Sequence, residues 1–280
     1  MHSIYQNIKQ SLKGCYPDSE ISALAKILLV EVLGFSTLEL FGGKDKEVSE
    51  KDLDVLNEIL RRLKDYEPIQ YVIGRENFCG MTFEVNRNVL IPRPETQELV
   101  NWIVDDYKTC SLCRTLDIGT GSGCIAISLA NKIPNVKVEA WDISEGALDV
   151  ARRNARINGA FVDFRLQDVL KADVDYSSYE VIVSNPPYIT EKEKKEMEAN
   201  VLEWEPHEAL FVPDANPLLF YRKIAELGMK ALTQGGALYF EINRAYGMEL
   251  VAMLQSLGYQ QIELKEDMFG NKRMIKAIKP

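Results

Sequence analysis

The residues best suited to chemistry in this chain of 280 are Ser184-Asn185-Pro186-Pro187-Tyr188, which directly follow a short apolar run that reads as a strand. Two consecutive prolines fix the backbone and remove two N–H donors, so the Pro186 carbonyl is offered in a rigid geometry. Asn185 supplies a second carbonyl from its side chain. Together they make two acceptors aimed at one –NH2 group, with Tyr188 as a stacking wall. A planar –NH2 conjugated to a carbonyl or a ring is a poor nucleophile because its lone pair is delocalised. Holding both hydrogens reorients the lone pair toward an electrophile and disperses the charge that develops on nitrogen.

The electrophile is suggested by a second motif. Leu116-Asp117-Ile118-Gly119-Thr120-Gly121-Ser122-Gly123 ends an earlier strand-like run and leads straight into a helical stretch. Its glycines let the backbone pass close to a ligand, and a helix N-terminus presents unpaired N–H groups. The dinucleotide fingerprint expects its third glycine, or an alanine, one place later, where this chain has Cys124. The spacing therefore suits S-adenosylmethionine, with its sulfonium methyl, at least as well as NAD. Asp142 ends the next strand, 19 positions past Gly123, where a carboxylate can accept from both ribose hydroxyls of either ligand. Asp168 closes a third strand and can meet an adenine amino group.

Such motifs work only where strands end side by side. Strand-like runs at 115–118, 136–141, 161–166, 181–184 and 237–242 alternate with helical stretches at 123–131, 145–158 and 218–232. Repeated βα units predict a mostly parallel sheet covered on both faces. The runs at 261–264 and 273–278, joined through Gly270-Asn271 without a helix, predict an antiparallel pair closing it. Upstream, Pro92 and Pro94 bracket Arg93 and predict a sharp start to a helix over 95–107. Residues 75–91 are expected to be a hairpin linker turning at Asn86-Arg87-Asn88.

The first 74 residues differ in character. Ile21, Leu24, Ala25, Leu28, Leu29 and Val32 recur at helical spacing over 19–33. A second amphipathic segment opens with Ser49 and Asp52 in a capping-box arrangement and aligns Leu53, Leu56, Ile59, Leu60 and Leu63. Gly42-Gly43-Lys44-Asp45-Lys46 between them reads as a solvated loop. This part is expected to be a small helical bundle, giving an organisation of 1–74, 75–91 and 92–280.

Composition narrows the partners. The chain has 33 basic and 42 acidic side chains, a net charge of -9, which repels a phosphate backbone unless a basic patch overrides it. Direct DNA binding is therefore not expected. Five cysteines form no framework, and no export signal or bilayer-spanning run is evident, so a cytoplasmic location away from membranes is expected. The chain is also expected to be a monomer. Cys110 and Cys113 could be half a zinc site, but with only two histidines in the chain no metal site is expected. Glu191 to Glu198 is a charge run that reads as a solvated helix face or a lid over substrate.

With these motifs in hand, the chain resembles the glutamine-N5 protein methyltransferases of the HemK/PrmC family, which act on class I peptide chain release factors at their Gly-Gly-Gln motif. The likeness runs nearly end to end. It includes Gln70-Tyr71, Gly74, Phe78 and Gly80, the stretch Leu90-Ile91-Pro92-Arg93-Pro94-Glu95-Thr96, Glu205-Pro206-His207-Glu208-Ala209-Leu210, and Gly235-Gly236 before a strand. The resemblance implies a Rossmann-like, seven-stranded α/β methyltransferase domain preceded by the helical bundle and hairpin. It implies S-adenosylmethionine held by Gly119, Thr120, Gly121, Ser122, Gly123, Asp142, Asp168, Val169 and Asn185. Asn185, Pro186, Pro187 and Tyr188 would hold the glutamine, with Asn185, Pro186 and Tyr188 in catalytic roles. His207 reads as a hydrogen-bonded neighbour of the site. Gln97, Val169 and Asn243 depart from the family pattern, Val169 at a position where an aromatic ring would stack on adenine. Other readings are an adenine-N6 methyltransferase, a catalytically silent binding protein and, more remotely, a dehydrogenase.

Overall fold

The computed structural model describes residues 3–36, 39, 48–110, 112–174 and 178–280. The expected loop at 42–46 lies outside them. The chain divides into two compact units, one formed by Met1–Gly74 with Glu198–Trp204, the other by Arg75–Met197 with Glu205–Pro280.

In the first unit, α1 (Ser3–Leu12), α2 (Asp18–Ile27), α3 (Glu50–Lys64) and α4 (Ile69–Ile73) enclose a core that includes Ile8, Leu12, Leu28, Leu56 and Leu63. Ser49 caps α3 by accepting from the Asp52 N–H, and the last turn carries Arg61, Arg62 and Lys64, cations that suit a helix C-terminus. The expected helix over 19–33 is interrupted. After Ile27 it widens into a π turn at Leu28–Val32, closed by the Leu33 N–H on the Leu28 carbonyl. The wider turn lets the adjacent Leu28 and Leu29 both face inward, at 0% and 1% exposure.

The second unit opens with a hairpin, β1 (Arg75–Phe78) and β2 (Met81–Glu84), paired antiparallel. The expected corner at 86–88 is misplaced by half a hairpin. The chain reverses at Cys79-Gly80, whose φ values of 54° and 79° give the two left-handed positions that a tight hairpin turn needs. Asn86 does turn the chain, its side chain accepting from the Asn88 N–H, but only after β2 has ended.

Then follow α5 (Pro94–Tyr107), β3 (Cys113–Ile118), α6 (Cys124–Lys132), β4 (Val136–Asp142), α7 (Glu145–Ile157), β5 (Val162–Leu166), β6 (Tyr179–Ser184) and the short β7 (Ile189–Thr190). A helix α8 (Ala199–Trp204) belongs to the first unit, where the Trp204 indole donates to the Asp65 carbonyl at 3.2 Å. The chain continues through α9 (His207–Leu210), β8 (Phe211–Val212), α10 (Leu219–Ala231), β9 (Leu232–Glu241), α11 (Gly247–Ser256), β10 (Gln260–Glu266) and β11 (Lys272–Ile278).

Seven strands form one sheet in the order β10-β11-β9-β6-β3-β4-β5, with β11 alone antiparallel to its neighbours. Two large apolar clusters pack the sheet, one around Tyr221, Leu238 and Phe240, the other around Phe83, Val181 and Tyr239. Residues 238 to 240 alternate between these clusters, as the two-residue period of a strand dictates. β9 starts at Leu232, so Gly235-Gly236 lies inside the strand. Gly235 takes φ 78° beside a register irregularity between Tyr179 and Val181, a backbone shape only glycine adopts cheaply. Among the described residues no helix is long and apolar enough to cross a membrane.

Candidate active site

β3 runs to β4 on one side, whereas the chain returns to β6 on the other, so the carboxyl ends of β3 and β6 flank the point where strand order reverses. Open α/β sheets bind ligands in the crevice at such points. The Ser184 hydroxyl on β6 donates to the Ile118 carbonyl on β3 at 2.6 Å, tying the two strand ends together. A cavity of about 440 Å³ opens there. Gly119, Thr120, Gly121, Ser122, Asp142, Asp168, Val169, Asn185, Pro186 and Pro187 all line it.

The glycine loop is pinned by β4. The Gly119 and Thr120 N–H groups both donate to the Trp141 carbonyl, at 2.8 and 3.0 Å, and the Gly121 N–H donates to Asp142 Oδ2 at 2.8 Å. Gly119 and Gly121 adopt φ 75° and 55°, and a Cβ at either would meet nothing within 4 Å. That open space is the cradle a close ligand requires. Gly123 is different. It does not line the cavity, and a Cβ there would lie 2.9 Å from Ile127 Cδ1 and 3.2 Å from Ala151 Cβ. Its role is to let α6 and α7 pack closely. Gly123→Ala is expected to lower unfolding free energy by about 2 kcal/mol, through strain at positive φ and overpacking, as read from urea denaturation.

Asp142 Oδ1 accepts from the Ser144 N–H at 2.9 Å, so both of its oxygens are oriented by backbone donors while keeping lone pairs for a ligand. Burial raises its carboxyl above the ordinary value, against the Ser144, Gly121 and Ile143 N–H groups. Asp117, which sequence reading passed over as part of the glycine motif, is the more perturbed neighbour. It is 0% exposed; Oδ2 accepts from the Thr120 hydroxyl at 2.6 Å and the Ala126 N–H at 3.2 Å, while Oδ1 has no partner among the described residues. Burial pushes its carboxyl up to about 7, with the Asp142 charge adding to the rise.

On the far side of the cavity, Asp168 accepts from the Leu170 N–H and pairs with Lys171 at 2.9 Å, and the Lys171 hydrogen bond holds its carboxyl low. Val169 lines the wall while packing against the core behind it. Gln167 and Leu170 join the lining, and Phe211 and Phe220 supply aromatic faces that sequence reading missed. The usable signal for Phe211 was its place directly after the Glu205 to Leu210 stretch.

Asn185 Nδ2 donates to Thr96 Oγ1 at 3.3 Å, and among the described residues no protein donor reaches Asn185 Oδ1 or the Pro186 carbonyl. Tyr188 is placed apart from Asn185, Pro186 and Pro187. It does not line the cavity; its ring packs against the core, and its hydroxyl donates to Glu241 Oε1 at 3.3 Å. Burial raises both the Tyr188 phenol and the Glu241 carboxyl. Cavity-lining Phe211 and Phe220 are thus placed to provide the wall expected of Tyr188.

Two of the three departures, Gln97 and Asn243, have structural roles. Gln97 Oε1 accepts from the Cys79 N–H at 2.7 Å, holding the hairpin turn, a bond that a glutamate would make equally well. Asn243 Nδ2 donates to the Tyr188 carbonyl at 3.1 Å and to both Glu193 oxygens, while its Oδ1 accepts from the Ala245 N–H. The charge run is therefore anchored as a 3-10 helix, Glu191–Glu196, capped by Thr190 and Glu193. His207 meets Phe211 edge-on at 5.2 Å, and the Ile91 N–H and Arg93 both donate to the buried Glu205.

Residues 3–74 match the family described as PrmC N-terminal domain, and residues 97–207 the family described as Methyltransferase small domain. A release factor glutamine methyltransferase of Bacteroides thetaiotaomicron is 51% identical over 278 residues, covering 99% of each chain. One of Flavobacterium psychrophilum is 44% identical, covering 96% of this chain and 95% of its own. Among solved structures, a methyltransferase from Pyrococcus furiosus superposes with a TM-score of 0.52 at 19% identity, covering 82% of this chain and 99% of that one, a likeness of fold.

Proposed function

The chain belongs to the HemK/PrmC family of release factor glutamine methyltransferases, and from that membership we propose that its cavity methylates the side-chain nitrogen, N5, of the glutamine in the Gly-Gly-Gln motif of class I release factors. The methyl donor in this reading is S-adenosylmethionine. The observation that carries the site assignment is the pairing of two unengaged acceptors, Asn185 Oδ1 and the Pro186 carbonyl, with the open glycine cradle across one cavity.

The residues present fit that cofactor. Gly119, Thr120, Gly121 and Ser122 offer close backbone approach, Asp142 offers oriented carboxylate lone pairs, and Gln167 to Leu170 with Phe220 offer an adenine-sized wall. When bound, S-adenosylmethionine supplies an electrophilic sulfonium methyl. Asn185 Oδ1 and the Pro186 carbonyl accept the two amide hydrogens of the glutamine, turn its lone pair out of conjugation and stabilise the charge that grows on nitrogen. Pro187 fixes the second acceptor's direction. Tyr188, from its core position, holds the loop through Glu241. No general base is required, because the amide proton becomes acidic once nitrogen is alkylated. The acceptor is a protein glutamine rather than a DNA base, and the enzyme acts as a monomer in the cytoplasm with the 1–74 domain contacting the release factor.

Asp142→Ala is expected to weaken S-adenosylmethionine binding on the order of tenfold to a hundredfold, the loss of hydrogen bonds to a charged acceptor, as measured by calorimetry. The reading as a whole is tested by incubating the protein with labelled S-adenosylmethionine and purified release factor beside DNA and rRNA, then mapping the label by mass spectrometry. Label on the Gly-Gly-Gln glutamine is expected; label on a nucleic-acid base overturns it.

A further inference from the structure

We propose that Thr96 and Glu241 are positioning residues that lock the Asn185 side-chain amide with its Oδ1 toward the cavity. The proposal rests on the reading of Asn185 as an acceptor for the glutamine amide and adds what makes it one.

An asparagine amide can turn over, exchanging an acceptor for a donor at nearly unchanged shape. With Nδ2 toward the substrate, Asn185 would oppose the glutamine –NH2 instead of holding it. The direction is set by proton counting through a buried chain. Glu241 is 1% exposed and Thr96 2%; the Thr96 hydroxyl donates its single proton to Glu241 Oε2 at 2.5 Å. Thr96 Oγ1 is then left only as an acceptor, and it takes Asn185 Nδ2. Glu241 Oε1 is occupied in turn by the Tyr188 hydroxyl. Burial works against ionisation of Glu241, while the Thr96 and Tyr188 hydroxyls and the Arg273 charge favour it. As a carboxylate it has no proton to give, so it terminates the chain and gives every hydrogen bond in it one sense.

The fold supplies the alignment. β6 and β9 are parallel, and Ser184 pairs with Phe240, so the following residues, Asn185 and Glu241, stand at equivalent levels of adjacent strands. Thr96 reaches them from the first turn of α5, whose start is fixed by Pro94. Three elements far apart in sequence therefore converge on one amide, and neither Thr96 nor Glu241 needs to touch the reacting atoms.

The test is a set of purified full-length variants, Thr96→Val, Thr96→Ser, Glu241→Gln, Asn185→Ala and Thr96→Val/Asn185→Ala. Each is checked for a cooperative thermal transition, then measured for S-adenosylmethionine Kd and single-turnover methylation of release factor. Thr96→Val is expected to slow transfer by about tenfold or more, leaving Kd within about twofold, because a turned amide loses one of two acceptors. Thr96→Ser, which keeps the hydroxyl, restores the rate. Glu241→Gln keeps the shape but can donate to Thr96, releasing the Thr96 proton to Asn185 Oδ1, and is expected to slow transfer similarly. In the Asn185→Ala background, Thr96→Val has nothing left to position and causes no further loss. Wild-type transfer in Thr96→Val or Glu241→Gln beside a slow Asn185→Ala overturns the positioning role. Undiminished transfer by Asn185→Ala overturns the underlying reading of the site, and the positioning role with it.

Discussion

Asn185→Ala is expected to lower single-turnover methyl transfer by a factor on the order of 10²–10³, comparable to the loss of one preorganised group facing developing charge in a water-poor site. The factor is large because the ground state needs Asn185 less than the transition state does. A glutamine amide in its resonance-stabilised form already shares its lone pair with its own carbonyl, and its hydrogens carry little charge. As nitrogen is alkylated those hydrogens become acidic, and acceptors fixed beforehand strengthen without reorganising. Asn185 is fixed in that sense, its Nδ2 held by Thr96 and its backbone following a strand end tied to Ile118. Release factor affinity should move much less than the transfer rate. Equal losses in both would show that Asn185 binds substrate without favouring the transition state.

The second large effect concerns stability. Asp117 is buried beneath the glycine loop with one oxygen unpartnered among the described residues, and burial pushes its carboxyl from the ordinary 3.8 up to about 7. Between those values the folded protein keeps a proton that the unfolded chain has released. Stability therefore falls as pH rises through that window, the full penalty stands above about pH 7, and below 3.8 the penalty vanishes because both states are protonated. The interval corresponds to about 4 kcal/mol. Asp117→Asn keeps an oxygen for the Thr120 hydroxyl and the Ala126 N–H but cannot ionise. Urea unfolding free energies across this range should fall with pH in the parent protein and fall less in the variant, by roughly that amount over the whole window. Parallel profiles would mean that the carboxylate is already stabilised in the fold and that burial does not govern it.

How far the sequence reads depends on whether a feature is local. The βα alternation, the antiparallel closing pair and two helical segments of the first unit, over 19–33 and from Ser49 to Leu63, follow from periodicities within ten or fifteen residues and are legible. The helices Ser3–Leu12 and Ile69–Ile73 are outside that reading. The hairpin was legible as a pair of strands but not in its corner. Asn86-Arg87-Asn88 carries turn-forming residues, whereas Cys79-Gly80 places a non-glycine at φ 54°, which composition does not advertise. The π turn after Ile27 was hidden because its leucines satisfy the ordinary helical spacing as well. The helix Ala199–Trp204 joins the first unit by a tryptophan bond across 139 positions, a link no local pattern contains.

The site divides along the same line. By itself the sequence determined that a glycine loop, an aspartate and an Asn-Pro-Pro-Tyr turn stand at strand ends, because strand length and breaker residues are written locally. Which of those side chains face a common cavity was decided by strand order and register. They turned Gly123 to helix packing and Tyr188 to the core, and brought Phe211 and Phe220 to the wall. They also joined Thr96 to Glu241 across 145 positions and to Asn185 across 89. A side chain's burial, and the direction in which a hydrogen bond runs through it, depend on neighbours supplied by other strands, so they exist only once the sheet has closed.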